Sequence, residues 1–457
     1  MMISGRVPLL LLLGVGAVVL RPSGSTVALW ILAMALLVGV DLLLAPRTRV
    51  LACRRDAISP VRLGDPTTSV LHVENTGRRR VRAELRDAWQ PSAGATSNRH
   101  HFTLRTGGTT HLRTPLQPRR RGDLRADGVT LRSWGPLRLA ARQHRYPVPG
   151  VVRTLPPFAS RKHLPSRLAR LQDLDGRAAV RVRGQGTEFD SLREYVRGDD
   201  VRSVDWRASA RSAHVVVRTW QPERDRRVVL VLDTGRTSAG RVGVDSTTGR
   251  ELVGAAEDEA GRVDAVPRLD AAMDAALLLG SLAARAGDRV DLLAGDRRIR
   301  ARERMAGARD VAGRLAERMA DLEPRLVETD WEVLFGALAG LGRQRALVVL
   351  LTAVEPAAIS DGLLPVLGPL LRHHHVVLAS VRDPELSRLA AAGRDGGAEL
   401  TIDAVYDAAA AVAELDRRER TRKVLQRMGV DVLDVDAGGL PPALADHYLA
   451  LKAQGRL

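Results

Sequence analysis

Between Gly184 and Arg227 the chain interleaves Arg, Asp and Glu, and it then runs straight into Val228-Val229-Leu230-Val231-Leu232, closing on Asp233. A continuous apolar run of that length is the pattern of a strand buried on both faces, which needs helices above and below its sheet. The charged stretch before it also carries Phe189, Tyr195, Trp206 and Trp220. A solvated linker carries few aromatics, so this stretch reads as a folded ion-pair network.

Beyond Asp233 the chain alternates between the two kinds of element. Helices are predicted at about Leu269 to Ala286, Val311 to Leu322, Trp331 to Leu341 and Pro442 to Lys452, and strands at Val290 to Leu293, Ala346 to Leu351, Val376 to Val381 and Val430 to Val435. Short apolar strands separated by helices indicate a parallel sheet covered on both faces. Ligands of such sheets gather at the carboxyl ends of the strands, so the loop after Leu232 is where chemistry is to be sought. The segment Ala239 to Val266, rich in Gly, Ser, Thr, Asp and Glu and inserted between that strand and the next helix, reads as mobile.

The N-terminal third is different. Two apolar runs, Val7 to Leu20 and Thr26 to Ala45, open the chain. A bilayer needs about 20 residues of helix, which the second run supplies and the first approaches if Arg6 and Arg21 snorkel. The first run also has the shape of a signal peptide, with Ser23-Gly24-Ser25 as a small-residue cleavage site. A second run of spanning length comes immediately after it, which favours a membrane helical hairpin over residues 1–46. Arg47, Arg49, Arg54 and Arg55 crowd the exit of the second run and place the rest of the chain in the cytoplasm by the positive-inside bias. Asp41 reads as a tolerated charge near the headgroups. From Val50 to Tyr146 the period is two: Val70 to Glu74 alternates, Asn75-Thr76-Gly77 is a turn, and Val81 to Leu85 alternates again. About a hundred residues of short strands indicate an immunoglobulin-like β-sandwich. Pro149 and Pro156-Pro157 mark a linker or crossing strand between Pro147 and Pro165, with a short helix from Ser166 to Asp175 after it.

The order G-x-G-x-E-F-D, L-R-E-Y and G-D-D-x-R-S-x-D-W-R-A-S-A-R, from Gly184 to Arg211, resembles the signature of the bacterial membrane family called domain of unknown function 58. Pro118-Arg119-Arg120-Arg121-Gly122 and Trp134-Gly135-Pro136-Leu137 resemble further landmarks of that family, so the likeness covers nearly the whole chain. It implies a multidomain protein: a transmembrane hairpin at 1–46, the β-sandwich at 47–150, a linker and signature segment at 151–227, and a von Willebrand factor A-like, Rossmann-type α/β domain at 228–457. In von Willebrand factor A domains a D-x-S-x-S loop holds Mg²⁺ with a threonine and an aspartate from two other loops. Here the matching positions are Asp233, Gly235 and Thr237, then Thr329, with Ala353 where the aspartate is expected. Two oxygen donors are missing for a hard, octahedral ion. The expectation is a degenerate metal site with at most weak Mg²⁺ binding, in which Asp330 and Glu355 are the candidate substitutes.

In the signature, Glu188, Asp190, Arg193, Asp199, Asp200, Arg202, Asp205, Arg207 and Arg211 are candidates either for bidentate recognition of a partner or for a structural network, and Trp206 reads as a packing anchor. We expect the structural role for most of them. Catalytic motifs are otherwise scarce. Gly184-Gln185-Gly186 lacks the third glycine of a dinucleotide loop, and no Walker A, H-E-x-x-H or G-x-S-x-G pattern occurs. The three consecutive histidines His373-His374-His375 cannot easily share one ion, because neighbours in a strand face opposite ways.

Composition narrows the function. A net charge of +17 would suit nucleic acid, but only 3% of residues are aromatic and the arginines alternate with acids, which argues against a single-strand platform or a basic binding face. The single cysteine, Cys53, excludes an intrachain disulfide and a cysteine-rich zinc site. The expectation is a multi-pass cell-membrane protein with a cytoplasmic soluble part, acting as an interaction or assembly module without catalysis, cofactor or small-molecule substrate. The resemblance implies a MoxR-type AAA+ ATPase as partner. The competing readings are a membrane-tethered nucleic-acid binder and, last, a Mg²⁺-dependent hydrolase.

Overall fold

A computed structural model describes residues 2–181, 188–197, 199–221, 226–243, 265–305, 310–339, 345–392 and 401–457. The chain forms two compact units, Met1–Leu155 and Pro156–Leu457.

The first unit begins with two helices. Gly24–Leu44 has 21 residues, about 31 Å of helix, and is long and apolar enough to cross a membrane. Arg6–Leu20 has 15 residues, about 22 Å, so only one of the two expected spans has spanning length. The helices pack together where Gly14 offers no Cβ to the ring of Trp30. Ser23 caps the longer helix by accepting the Thr26 N–H.

Two sheets come next, antiparallel except where Val151–Leu155 pairs with Val61–Arg62. One contains Leu51–Arg55, Thr67–Asn75 and Thr109–Leu116. The other is built around the long strand Gly122–Trp134, which pairs with Val81–Trp89, Ala140–Tyr146 and Val151–Leu155. Strict alternation of buried and exposed residues in Thr67–Asn75 and Val81–Trp89 turns Leu71 and Val73 of one sheet toward Val81, Ala83 and Leu85 of the other. The result is a β-sandwich. Val151–Leu155, expected in a linker or crossing strand, is a full member of it, because its N–H and C=O groups pair with Asp123 to Arg125 on one side and Val61–Arg62 on the other.

Two charges expected at the membrane surface lie inside this unit. Arg55 is bidentate to Asp87, at 2.7 and 3.0 Å, with both side chains almost fully buried, and its guanidinium also lies over Trp89. It therefore belongs to the sandwich core rather than to the positive cluster after the helix. Asp41 is 0% exposed and accepts the N–H groups of Leu137, Leu139 and Ala140. Gly135 makes room for it, since a Cβ there would collide with the Asp41 carboxylate and carbonyl. The reading of Asp41 as a tolerated interfacial charge is thus corrected. A carboxylate near the end of the helix Gly24–Leu44 docks the helix to the sandwich.

The second unit is an α/β layer. Its six-stranded sheet runs Ile299–Met305, Arg289–Gly295, Arg227–Asp233, Leu347–Leu351, His375–Val381, Asp431–Val435. All neighbours are parallel except Ile299–Met305, which returns as an antiparallel edge, so the wholly parallel sheet expected from the sequence is corrected to a mixed one. That edge strand was missed because Ile299-Arg300-Ala301-Arg302-Glu303-Arg304-Met305 is mostly charged and carries no apolar run. The helix Arg268–Arg285 is buried along nearly its whole length. Ser160 is bound to it through its N–H and hydroxyl, both donated to Asp274. The helix expected at Ser166 to Asp175 extends over Leu164–Arg181. The insertion leaves and returns through a short ladder, Arg241–Gly243 against Ala265–Pro267, while residues 244–264 lie outside the described residues.

Candidate functional site

The central strand Arg227–Asp233 is apolar to its last residue, so the chain must leave the sheet on a buried carboxylate. Leu232 is in register with Leu351 of the adjacent parallel strand, which sets Asp233 level with Thr352. Asp233 is 1% exposed, and both carboxylate oxygens are engaged. Oδ2 accepts the hydroxyls of Thr237 and Thr352, each at 2.6 Å, while Oδ1 accepts the Gly235 N–H at 2.7 Å and the Thr329 hydroxyl at 2.5 Å. Three loops therefore converge on one carboxylate. Arg236 N–H to Val327 O, 2.8 Å, and Arg325 N–H to Thr234 O, 2.7 Å, stitch two of them together.

Gly235 does more than lack a hydroxyl. A Cβ at this position would stand 2.2 Å from the Thr329 hydroxyl oxygen and 2.9 Å from Val327 O, so the space of a serine side chain is already filled. Ala353 is buried and has no oxygen to offer, whereas its neighbour Thr352, overlooked in the sequence, supplies the third-loop donor. The two candidate substitutes point elsewhere. Asp330 caps the helix Trp331–Ala339 by accepting the Val333 N–H, and Glu355 is paired with Arg236. Asp233, Thr237 and Thr329 are brought together, but as an acceptor satisfied by hydrogen-bond donors.

Above Asp233 lies a cleft of about 280 Å³, lined by Arg236, Thr329, Trp331, Thr352, Ile359 and Asp361 among others. At its mouth Arg236 is clamped between Glu328, at 2.6 Å, and Glu355, at 2.9 Å, and these carboxylates hold its guanidinium above its ordinary pKa. Behind it, Thr234 donates to Asp296, which also receives Arg300 at 2.8 and 3.1 Å. Burial pushes the Asp296 carboxyl up, but Arg300, the Arg298 N–H and Thr234 together bring it below the usual carboxylate range.

The signature segment folds as a separate small motif, strand Glu188–Glu194 against Val216–Gln221 with a short helix, Trp206–Ser209, between. Arg193 is bidentate to Asp199, at 2.6 and 2.8 Å. Asp205 accepts the Arg207 and Ala208 N–H groups and pairs with Arg218, so the Ala208 N–H and then the Arg218 guanidinium hold its carboxyl below the ordinary range. Asp200 caps the turn Val201–Ser203 through the Arg202 N–H. Arg202, Arg207 and Arg211 are exposed. Trp206 is 68% exposed and is not the packing anchor the sequence implied. Glu188 and Asp190 lie in the strand, with side chains outside the described residues, as are Gly184 to Gly186 altogether.

The family described as Protein of unknown function DUF58 matches residues 191–429, more than half of the chain. The chain belongs to this family. The match begins inside the signature segment and runs through the Asp233 loops to the end of the long helix Ile402–Arg427, just before the last strand. Among solved structures, this DUF58 chain is similar to the PapD-like domain 7 of human CEP192, at 14% identity over 24% of this chain and 88% of that one with a TM-score of 0.19. It is also similar to a CARDB domain from Pyrococcus furiosus, at 14% identity over 24% of this chain and 94% of that one with a TM-score of 0.18. No curated protein matches the chain.

Proposed function

We propose that this DUF58 protein is a membrane-anchored interaction and assembly module whose von Willebrand factor A-like unit works without a catalytic metal. The observation that carries the reading is the closed Asp233 carboxylate. Three of its four hydrogen bonds come from threonine hydroxyls, Thr237, Thr329 and Thr352, that a metal-binding loop would turn toward an ion; the fourth comes from the Gly235 N–H, and Thr329 fills the space of the absent serine. A hydrolase needs a positioned nucleophile or activated water, and Asp233 is already fully committed. There remains a cleft edged by Arg236 and Glu328, with Glu355 paired to the same arginine, suited to contacts with a protein partner's polar groups. Family resemblance supplies a MoxR-type AAA+ ATPase as the candidate partner.

In this reading the anchor is a multi-pass hairpin and both soluble units face the cytoplasm. The helix Gly24–Leu44 and the arginines Arg47, Arg49 and Arg54 after it support that arrangement. Affinity capture of the full chain from detergent-solubilised membranes, with mass spectrometry of the retained proteins, tests the reading. An AAA+ ATPase retained in the presence of EDTA is the expected result. Capture that EDTA abolishes, or ATP-independent hydrolysis dependent on Asp233, would overturn it.

A further inference from the structure

Of the run His373-His374-His375, only the last member joins a cluster, and it does so with residues far along the chain. His375 opens the strand His375–Val381, and Asp431 opens its parallel neighbour Asp431–Val435. The register pairs Val377 with Asp431, so His375, two residues before Val377, shares a sheet face with Asp431. His447 comes from the helix Leu440–Ala453 and meets them there. The cluster lies at the amino-terminal end of these strands, whereas Asp233 terminates its strand at the carboxyl end.

Its geometry is close to that of a ligand set. One ligand atom from each of the three residues lies within 4.8 Å of the others. His375 Nε2 is 2.8 Å and His447 Nε2 3.1 Å from the same oxygen, Asp431 Oδ2. Around a tetrahedral Zn²⁺ with bonds near 2.0 to 2.1 Å, adjacent donor atoms stand roughly 3.3 Å apart. Outward shifts of a few tenths of an ångström would bring the two histidine–aspartate contacts to that spacing. The side chains of His375, Asp431 and His447 are 18%, 32% and 24% exposed, enough for an ion to enter and for water to complete its shell. Two imidazoles and one carboxylate favour a borderline first-row ion, whereas Mg²⁺ takes oxygen ligands.

We propose that His375, Asp431 and His447 form a three-ligand site for a divalent transition-metal ion of the Zn²⁺ class, which ties the helix Leu440–Ala453 to two adjacent strands. The site is independent of the Asp233 loops and adds a metal-dependent clip to the α/β unit.

The full chain in detergent micelles, stripped by chelator, is titrated with Co²⁺ and then with Zn²⁺. One saturable Co²⁺ site per chain with visible ligand-field absorption, displaced by Zn²⁺, is the expected result. Asp431→Asn keeps the size of the side chain and should weaken binding by about tenfold or more, and His447→Ala should abolish it. His373→Ala should bind as the parent does. Circular dichroism monitors folding, and the nearly isosteric Asp431→Asn decides the matter if His447→Ala does not fold. No saturable site, affinity unchanged in Asp431→Asn, or loss in His373→Ala instead would overturn the proposal.

Discussion

The Asp41 carboxylate accepts the Leu139 backbone N–H at 2.7 Å, joining the end of the membrane-length helix to a strand hairpin of the β-sandwich. The same carboxylate holds the N–H groups of Leu137 and Ala140. A turn that would otherwise leave donors unsatisfied is completed by an acidic residue of an apolar helix. The helix is thereby part of the unit's fold rather than a flexible tether.

Asp41→Ala should therefore destabilise the first unit by more than an ordinary surface change. Each buried N–H left without an acceptor costs about 1 to 3 kcal/mol. Gly135→Ala should act in the same direction by pushing Asp41 away. Thermal unfolding of the full chain in detergent checks this, and an unchanged midpoint in both variants would contradict the docking role.

The buried pair of Arg55 and Asp87 separates two neighbouring arginines. Arg55→Ala should cost about 3 to 5 kcal/mol by stranding the Asp87 charge, whereas Arg54→Ala, at an exposed pair, should change stability by under about 1 kcal/mol. Urea denaturation of the full chain compares them. Equal effects would remove the distinction.

At the Asp233 loops, Gly235→Ser should not create a Mg²⁺ site, because the new side chain meets Thr329. Thr352→Val should loosen the loops by about 1 to 3 kcal/mol, since Asp233 loses a buried donor. Calorimetric titration with Mg²⁺ checks the first, and a micromolar isotherm lost in Asp233→Ala would show that the metal-free reading is wrong.

Acid should release the loop behind the site. The Asp296 carboxyl has a folded pKa below its unfolded value, so its contribution is present above the unfolded pKa, about 3.9, and fades as pH falls through the folded value. The stability gap between the parent and Asp296→Asn should thus be largest near neutral pH and shrink below about pH 4. Urea midpoints across that range measure it, and a gap independent of pH would count against the assignment.

In the signature segment, Asp205→Ala should destabilise the motif, because it removes a helix cap and the Arg218 pair together. Trp206→Ala and Arg207→Ala, both at exposed side chains, should leave the thermal midpoint unchanged. If either of these two abolishes capture of the partner at full stability, the exposed face of the short helix is the contact surface.

The order of layers was legible in the sequence, because it rests on local periodicity. Alternation from Val70 to Leu85 and the unbroken apolar runs at Val228 to Leu232 and Ala346 to Leu351 each carry their burial pattern within a few residues. The family signature was legible because its residues are contiguous, whereas Asp233, Thr237 and Thr329 were picked out by the resemblance and not by periodicity. The tertiary structure alone decided the pairings between residues remote in sequence: Asp41 with Leu139, Arg55 with Asp87, Thr352 with Asp233, and His375 with Asp431 and His447. A charged side chain reads alike in sequence whether it faces water or a buried partner. Only the register of the strands and the docking of the helices bring the partner within hydrogen-bonding distance, and so determine whether Asp233 offers its oxygens to an ion or spends them on three threonines and a glycine.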